Sequence, residues 1–296
     1  MIEMSVRKPL VLSFAIAANA VLALPSIAKN AAPAAWRQAD FAAELYRHAA
    51  AVAGDGADVA VSPLGAARYF ADRLRENSGN TARGMAFALQ LGGAETPAAA
   101  ELVATFREVD AALSRAARQE VAVAESGTNG TFRFSAKWDH AAAEVLETPL
   151  CSALRVPCIG GTFEMVAITP SPSNTFADVV SRLGRPLLDR LMAAPRSKPE
   201  SQLPPTFCFR AIVDLNPVLS PMGMAAFFAG NVAHQGVAIS ANETGIEAAV
   251  ATGPEVLEIP EIPDSPETLS RPFLFLIRET RTGLILFIGR VAGGAL

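Results

Sequence analysis

The chain has few of the residues that most enzyme sites require. Only three histidines and three cysteines occur in 296 residues. The metalloprotease pattern His-Glu-x-x-His, the redox pattern Cys-x-x-Cys, the hydrolase pattern Gly-x-Ser-x-Gly and the glycine-rich phosphate loop do not occur. We therefore expect no catalytic residue, no metal site and no cofactor.

Positive charge is also thinly spread. The formal net charge is −4 and no cluster of Lys and Arg stands out. A protein that binds nucleic acid usually presents such a cluster, so we expect no nucleic-acid partner.

The three cysteines are too few for a disulfide framework. One pair at most can form, and Cys151 and Cys158 are the candidates in an oxidising compartment. An odd count leaves at least one thiol free, and Cys208 is then the remaining residue.

The first 28 residues have the pattern of an export signal. Arg7 and Lys8 precede an apolar stretch over residues 10–24, and Ser26 and Ala28 are small residues of the kind that a signal peptidase prefers. We predict a cleaved signal at 1–28 and a secreted or periplasmic domain over 29–296. An uncleaved anchor or an apolar first helix is the alternative. No comparable apolar run follows, so no membrane contact is expected after cleavage.

Helical spacing of apolar residues fills much of the first half of the chain. It predicts helices over residues 36–53 and 63–76, a third from about Thr81, an Ala-rich one over 97–118, and an amphipathic one over 174–193. Short apolar strands dominate the rest. Helices followed by strands indicate an α+β fold.

A long acidic segment precedes the last strands. Residues 241–270 hold seven acidic side chains and no Lys or Arg. Pro254, Pro260, Pro263 and Pro266 remove backbone donors from this segment. We therefore predict an exposed loop, and loops of this length are usually functional or disordered.

The segment after the loop has the opposite character. Residues 272–277 and 284–288 are continuous apolar runs, separated by a polar turn that ends at Gly283. This pattern predicts a hairpin with both faces buried.

Together these segments resemble the serpin family of serine protease inhibitors. Residues 243–252 are similar to the hinge of the serpin reactive-centre loop, and residues 271–291 are similar to the C-terminal strand pair. Weaker matches in the right order lie at 41–46, 61–64, 79–85, 132–138, 163–170 and 221–227. The stretch 91–131 is shorter than its family counterpart, so this is a shortened member. The resemblance implies an α+β fold with a large mixed or antiparallel sheet, helices clustered N-terminally and an exposed reactive-centre loop over about 243–270.

The hinge resemblance implies a segment that moves from solvent into a sheet. Its small and strand-forming residues suit such a move, and Gly245 gives the backbone a pivot. Ile246 stands where family inhibitors usually have Thr or Ser, Val250 replaces a small residue, and Pro254 would cost the inserted strand one hydrogen bond. The hinge residues are Glu243, Gly245, Ile246, Glu247, Ala248, Ala249, Val250, Ala251 and Thr252.

Two further residues are assigned by the resemblance. His234 is similar to the serpin histidine that hydrogen-bonds near the point where the sheet opens, and Ser62 is its expected companion. Either residue is also satisfied by a purely structural role.

The reactive bond has several candidates. Counting from the hinge gives the bond after Ile259, but Pro260 makes that bond resistant to most serine proteases. Leu257–Glu258, Glu258–Ile259 and Glu261–Ile262 are the other candidates. An apolar residue suits an elastase- or subtilisin-like target, and Glu suits a Glu-preferring protease. The absence of Lys and Arg argues against trypsin-like targets.

The implied activity is inhibition of a serine-type endopeptidase, not catalysis by the chain itself. The target attacks the loop, forms an acyl-enzyme and is trapped as the cut loop enters the sheet. The alternative is a non-inhibitory serpin-fold protein with a binding or structural role.

Overall fold

The computed structural model of the chain describes residues 28–91, 111, 130–199, 204–255 and 272–293. Three helices come first: α1 (Ala28–Ala53), α2 (Pro63–Glu76) and α3 (Gly79–Ala88). The predicted bounds of α2 are confirmed. Its start is fixed by Ser62, whose Oγ accepts a hydrogen bond from the Gly65 amide at 3.1 Å, and by Pro63 at the first helical position.

The other helix predictions need adjustment. α1 begins eight residues before the predicted start, and α3 begins two residues before Thr81. The predicted helix over 97–118 lies outside the described residues except for Ala111.

The amphipathic segment over 174–193 is two helices, not one. These are α4 (Phe176–Ser181) and α5 (Arg185–Met192). Gly184 lies between them at φ +143°, a conformation that only glycine adopts readily, and it is the N-cap residue of α5. Thr175 caps α4 through a reciprocal pair of hydrogen bonds with Asp178.

Strands and the remaining helices complete the chain. The strands are β1 (Val59–Val61), β2 (Phe132–Lys137), β3 (Glu144–Glu147), β4 (Cys151–Pro157), β5 (Phe163–Pro170), β6 (Arg196–Ser197), β7 (Phe207–Asp214), β8 (His234–Ala241), β9 (Gly245–Gly253), β10 (Phe273–Glu279) and β11 (Ile285–Val291). The helices are α6 (Leu215–Leu219), a π-type turn (Ser220–Met224) and α7 (Ala225–Phe228), with a 3-10 turn at His140–Ala142.

The strands form two antiparallel sheets. The larger has the order β1-β11-β10-β5-β4-β3-β6, and the smaller has the order β2-β9-β8-β7. The predicted terminal hairpin is confirmed as β10 and β11, whose apolar residues are buried. The predicted α+β class with a large antiparallel sheet is confirmed as well.

Aromatic side chains join the two sheets into one core. Phe132 of β2 packs on Phe287 of β11 with ring centroids 5.3 Å apart. Phe207 of β7 packs on Phe275 of β10 at 5.0 Å. Because each ring pair joins one sheet to the other, the smaller sheet lies against the larger, with α2 packed on both.

A buried carboxylate links three strands of the larger sheet. Glu164 of β5 is fully buried and is paired with Arg155 of β4 at 2.6 Å and with Arg278 of β10 at 2.5 Å. A buried charge is costly unless it is fully paired, so removal of either arginine would strongly destabilise this region.

Candidate functional site

The predicted hinge is a central strand in this structure. β9 lies between β8 and β2, with Ile246 opposite Ala241 on one side and opposite Ala136 on the other. The exposed-loop prediction is therefore wrong for residues 245–253, which form a strand with one half-exposed residue, Glu247. The composition of the segment suggested a loop, but small residues also fit a buried strand whose backbone is hydrogen-bonded to neighbours on both sides. Glu243, just before β9, lies in the turn that joins it to β8.

The apolar hinge residues face the core between the two sheets, on the same side as Phe132 of β2, which is paired with Val250 and packs on the larger sheet. Val250 lies beside α2, because a methyl group added at Gly65 would come within 3.2 Å of its Cγ2 atom. Ile246 and Ala248 share this face of β9, since side chains alternate along a strand. Ile246 and Val250 are both completely or almost completely buried. Their bulk is therefore accommodated in the sheet.

Gly245 is required where β9 begins. A methyl group there would overlap the carbonyl oxygen of Ala136 and lie 3.1 Å from the Cα atom of Lys137. The predicted pivot is thus also a point of close backbone approach between β9 and β2.

The turn before β9 is held by side chains from the β2 end. Trp138 donates its indole N–H to the Asn242 carbonyl at 2.8 Å, and Nε2 of His140 lies 2.8 Å from the Glu243 carbonyl oxygen. The Asn242 side chain accepts hydrogen bonds from the amides of Thr244 and Gly245. These contacts fix the β8–β9 turn in a single geometry.

A buried amide joins β9 to the start of α2. The Gln235 side chain accepts from the Ser62 amide at 2.7 Å and donates to the Ser62 carbonyl and the Thr252 hydroxyl, each at 3.0 Å. Ser62 Oγ donates to the carbonyl of Leu286 in β11 at 2.6 Å. One carboxamide therefore connects helix α2, strand β8 and the hinge strand.

This network corrects one predicted pairing. The side chain that bonds Ser62 belongs to Gln235, not to His234, which is half-buried and pairs through its backbone with Gly253. Strand parity could have found Gln235, since it shares a face of β8 with the core residues Val237 and Ile239. His234 falls on the other face.

Outside the core, Glu247 forms an ion pair across the strands. Its carboxylate lies 3.5 Å from Arg133 of β2, and the two side chains are 36% and 40% exposed. Exposed pairs of this kind contribute about 0–1 kcal/mol. The pair favours the observed register without determining it.

Pro254 lies just beyond the strand. It is exposed at a bend that follows Gly253. The expectation that Pro254 would fall inside the inserted strand is therefore wrong, and β9 loses no hydrogen bond to it. The candidate reactive-bond residues Leu257, Glu258, Ile259, Pro260, Glu261 and Ile262 lie outside the described residues.

The cysteines do not pair. Cys151 and Cys158 are buried and free, and they flank opposite ends of β4, whose seven residues keep them apart. The disulfide that the sequence allowed between Cys151 and Cys158 is therefore not formed in the structure. Burial raises the pKa of both thiols. Cys208 on β7 is half-buried and forms no disulfide.

Within the described part of the chain, no group of three or more His, Cys, Asp or Glu side chains is arranged to hold a metal ion. Among the helices described, none combines the length and the hydropathy of a membrane span.

Comparison with protein families bears on this arrangement. The family model for "Serpin (serine protease inhibitor)" matches residues 128–293, more than half of the chain. The chain belongs to the serpin family. The match includes every strand from β2 to β11, and therefore the whole of the smaller sheet.

Curated serpins are similar over part of their length. Heparin cofactor 2 of Rattus norvegicus is 28% identical over 159 residues, which cover 49% of this chain and 33% of that protein. A serpin-like protein of Methanosarcina acetivorans is 39% identical over 104 residues, which cover 29% of this chain and 24% of that protein. The chain thus spans about a third of the length of the curated relatives it matches.

Solved serpin structures share the fold. The thermophilic serpin Tengpin in the latent state has a TM-score of 0.59 at 16% identity, covering 87% of this chain and 96% of that one. Cleaved Serpin 42Da has a TM-score of 0.63 at 14% identity, covering 90% of this chain and all of that one.

Proposed function

We propose that this serpin inhibits a serine-type endopeptidase by trapping it as an acyl-enzyme while its loop enters the smaller sheet. One observation carries the proposal: the segment that resembles the reactive-loop hinge forms strand β9 between β2 and β8. The inhibitory form is then the one in which this segment is outside the sheet, and the present structure is the end state. The latent and cleaved serpins named above support this interpretation through their shared fold.

The mechanism follows from where β9 lies. The protease serine attacks a loop carbonyl, the peptide bond breaks, and the new N-terminal fragment stays linked as an ester. The freed segment then adds to the sheet as a strand. Insertion moves Ile246 and Val250 from solvent into the core, and each contributes about 1.5–3 kcal/mol. Backbone hydrogen bonds to two neighbouring strands further favour the inserted state.

The sheet-opening gate is assigned to Ser62 and Gln235. Their mutual hydrogen bonds tie the start of α2 to β8, and the bond from Gln235 to Thr252 exists only when β9 is in place. His234 stands at the same end of β8 and keeps its assignment as a neighbouring gate residue. The amide therefore stabilises the end state of insertion.

The target is proposed from the loop sequence. The candidate bonds at Leu257–Glu258, Glu258–Ile259, Ile259–Pro260 and Glu261–Ile262 favour an elastase-like, subtilisin-like or Glu-preferring protease. We also propose that residues 1–28 are a cleaved signal and that the inhibitor acts outside the cytoplasm. N-terminal sequencing of the mature protein would test that part.

A second candidate function has its own support. In this structure β9 occupies the sheet in an uncut chain, and a strand already inserted has no further strain to release. A chain that rests in this state would be a non-inhibitory binding or structural protein with the serpin fold.

The test is covalent capture of a protease. We expect a complex that survives SDS, with the summed mass of the chain fragment and the protease, after mixing with an elastase-like or a Glu-preferring serine protease. The matched control is the same protease with its active-site serine blocked, which cannot form the ester. Clean loop cleavage with full remaining protease activity would overturn the inhibitory proposal and favour the second candidate.

A further inference from the structure

Strand β7 (Phe207–Asp214) lies at an edge of the smaller sheet. Of the strands that the structure describes, β8 is the only one beside it, and the two pair over all eight residues. An edge strand presents a row of backbone N–H and C=O groups on its outer side. Such a row is a template to which another strand can add.

β7 lacks the features that usually keep edge strands from pairing. Protected edge strands are short, carry proline or lysine, or contain a bulge. The larger sheet follows this rule, since its edge strands β1 and β6 have three and two residues. β7 has eight residues without proline or lysine, and its register with β8 is unbroken. Its length and regularity therefore favour the addition of a further strand.

The outer face of β7 carries an exposed isoleucine between two charges. Phe207 points the other way, into the core, where it packs on Phe275 of β10 at 5.0 Å. Side chains alternate along a strand, so Arg210, Ile212 and Asp214 share the outer face. All three are exposed, and Ile212 is 44% exposed.

The neighbouring strand does not cover this isoleucine. Ile212 lies opposite Gly236 of β8, and Arg210 lies opposite Ala238. Glycine and alanine have too little side chain to shield a residue beside them. Ile212 would therefore bury apolar surface if a second strand lay along the outer side of β7.

The order of these residues is self-complementary. When two copies of β7 run antiparallel about a two-fold axis at Ile212, each Arg210 lies opposite the Asp214 of the other copy. The two exposed isoleucines then meet on the axis, between two pairs of opposite charge. An axis at Arg210 would instead place two arginines opposite each other, and one at Ala211 would pair Arg210 with Ile212. The charges therefore select the axis at Ile212.

The chain leaves the edge directly after this stretch. Leu215 is fully buried, and its amide donates to the Ala233 carbonyl at 2.9 Å, so α6 turns inward from the end of β7. Asp214 caps α6 by accepting the Asn216 amide on Oδ1 at 2.9 Å. A carboxylate has two oxygens, so Asp214 can cap the helix with one and accept from an arginine with the other.

We propose that two copies of this chain associate through β7, antiparallel about a two-fold axis at Ile212, with Arg210 and Asp214 paired at both ends. Two four-stranded sheets then become one continuous sheet of eight strands. Only residues 210–214 of each copy pair, and an interface of this size gives a dimer that dissociates on dilution. The association uses neither β9 nor the loop after it, so it stands apart from the proposed function.

Charge reversal at the two ends tests the pairing. Sedimentation velocity on the full chain over a range of concentrations measures the association. We expect Arg210→Glu alone and Asp214→Lys alone to weaken it about 10-fold or more, because each places like charges opposite each other. An equal mixture of the two variants should restore it, since both pairs are then of opposite charge. A variant that had merely lost the α6 cap or misfolded would not be restored in this way.

A cross-link that leaves both charges in place tests the axis. In Ile212→Cys the two Cα atoms on the axis are about 4.5–5.5 Å apart, so mild oxidation should give a covalent dimer that a thiol reductant separates. The natural chain is the matched control. Its two Cys208 residues lie eight positions apart along the paired edges, about 27 Å at about 3.4 Å per residue, and should not cross-link.

Four results would overturn the proposal. These are a natural chain that stays monomeric at every concentration, association unchanged in both charge variants, a mixture that does not restore it, and the absence of the Ile212→Cys cross-link. A covalent dimer of the natural chain through Cys208 would also overturn it, because it would place the axis elsewhere on β7.

Discussion

At the scale of single residues, Tyr46 of α1 has a buried polar group that is not satisfied. Its side chain is fully buried, and its hydroxyl has no hydrogen-bond partner among the described residues. Burial raises the pKa of Tyr46 to about 12, and the charge of Arg290 partly offsets this rise. A buried polar group without a partner loses its hydration and gains little in return.

We expect Tyr46→Phe to raise the free energy of unfolding by about 1 kcal/mol, because it removes that unpaired hydroxyl. The raised pKa of Tyr46 also makes the stability depend on pH. Protonated Tyr46 makes its full contribution to the free energy of unfolding below about pH 10, its ordinary pKa, and this contribution is lost as the pH rises through about 12. Tyr46→Phe should flatten this alkaline loss.

Urea unfolding at about pH 8 and about pH 11 measures both effects. Tyr69→Phe is the matched control, since the Arg73 guanidinium lies over the Tyr69 ring, 5.0 Å from its centroid, and phenylalanine keeps that ring. We expect the control not to gain the stability that Tyr46→Phe gains. A loss of stability in Tyr46→Phe at the lower pH would contradict the argument.

At the scale of elements, the strand β9 depends on one glycine. Gly245 admits the backbone of β2, and any side chain there meets Ala136. That contact exists only while β9 lies in the sheet, so the residue can distinguish the two positions of the segment.

We expect Gly245→Ala to destabilise the inserted state by about 1–3 kcal/mol, because backbone atoms must shift to admit the methyl group. The melting temperature of the loop-cleaved chain should fall by several degrees. Gly230→Ala is the control, since a methyl group there meets nothing within 4 Å. Equal melting temperatures for the two variants would show that β9 is not held against β2.

The sequence was a good guide to elements with a local signal. α2 was predicted from the helical spacing of its apolar residues, and the terminal hairpin from two apolar runs around the turn that ends at Gly283. The break at Gly184 was missed because helical spacing continues on both sides of it. The position of β9 could not be read locally, since small residues suit a loop or a central strand, and only β2 and β8 decide between them.

In the candidate site, too, some residues were predicted from the sequence and others were missed. Gly245, the small hinge residues and Ser62 were all found through the resemblance. Gln235 was missed because a comparison based on residue type favoured His234, while the geometry depends on which face of β8 a residue occupies.

At the scale of the whole molecule, the proposed function implies two states of different stability, one with β9 in the smaller sheet and one with this segment outside it. Insertion buries Ile246 and Val250 and adds hydrogen bonds to strands on both sides. With the segment outside, β2 and β8 would have to meet each other or stand apart.

We expect cleavage between residues 254 and 262 to raise the melting temperature markedly, because a freed segment can complete the smaller sheet. Differential scanning calorimetry before and after treatment with a Glu-specific endopeptidase measures this rise, and no knowledge of the natural target is needed. An unchanged melting temperature would show that β9 occupies the sheet before cleavage, as the non-inhibitory alternative requires.

The three cysteines differ in reactivity, so one of them can be labelled with a fluorophore. The thiolate is the reactive form of cysteine, and burial suppresses it at Cys151 and Cys158. Cys208, half-buried on β7 opposite Ser240 of β8, remains for a maleimide dye. A fluorophore attached there would sit on the sheet that contains β9, so the insertion that the proposed function requires could be followed in real time in the natural sequence.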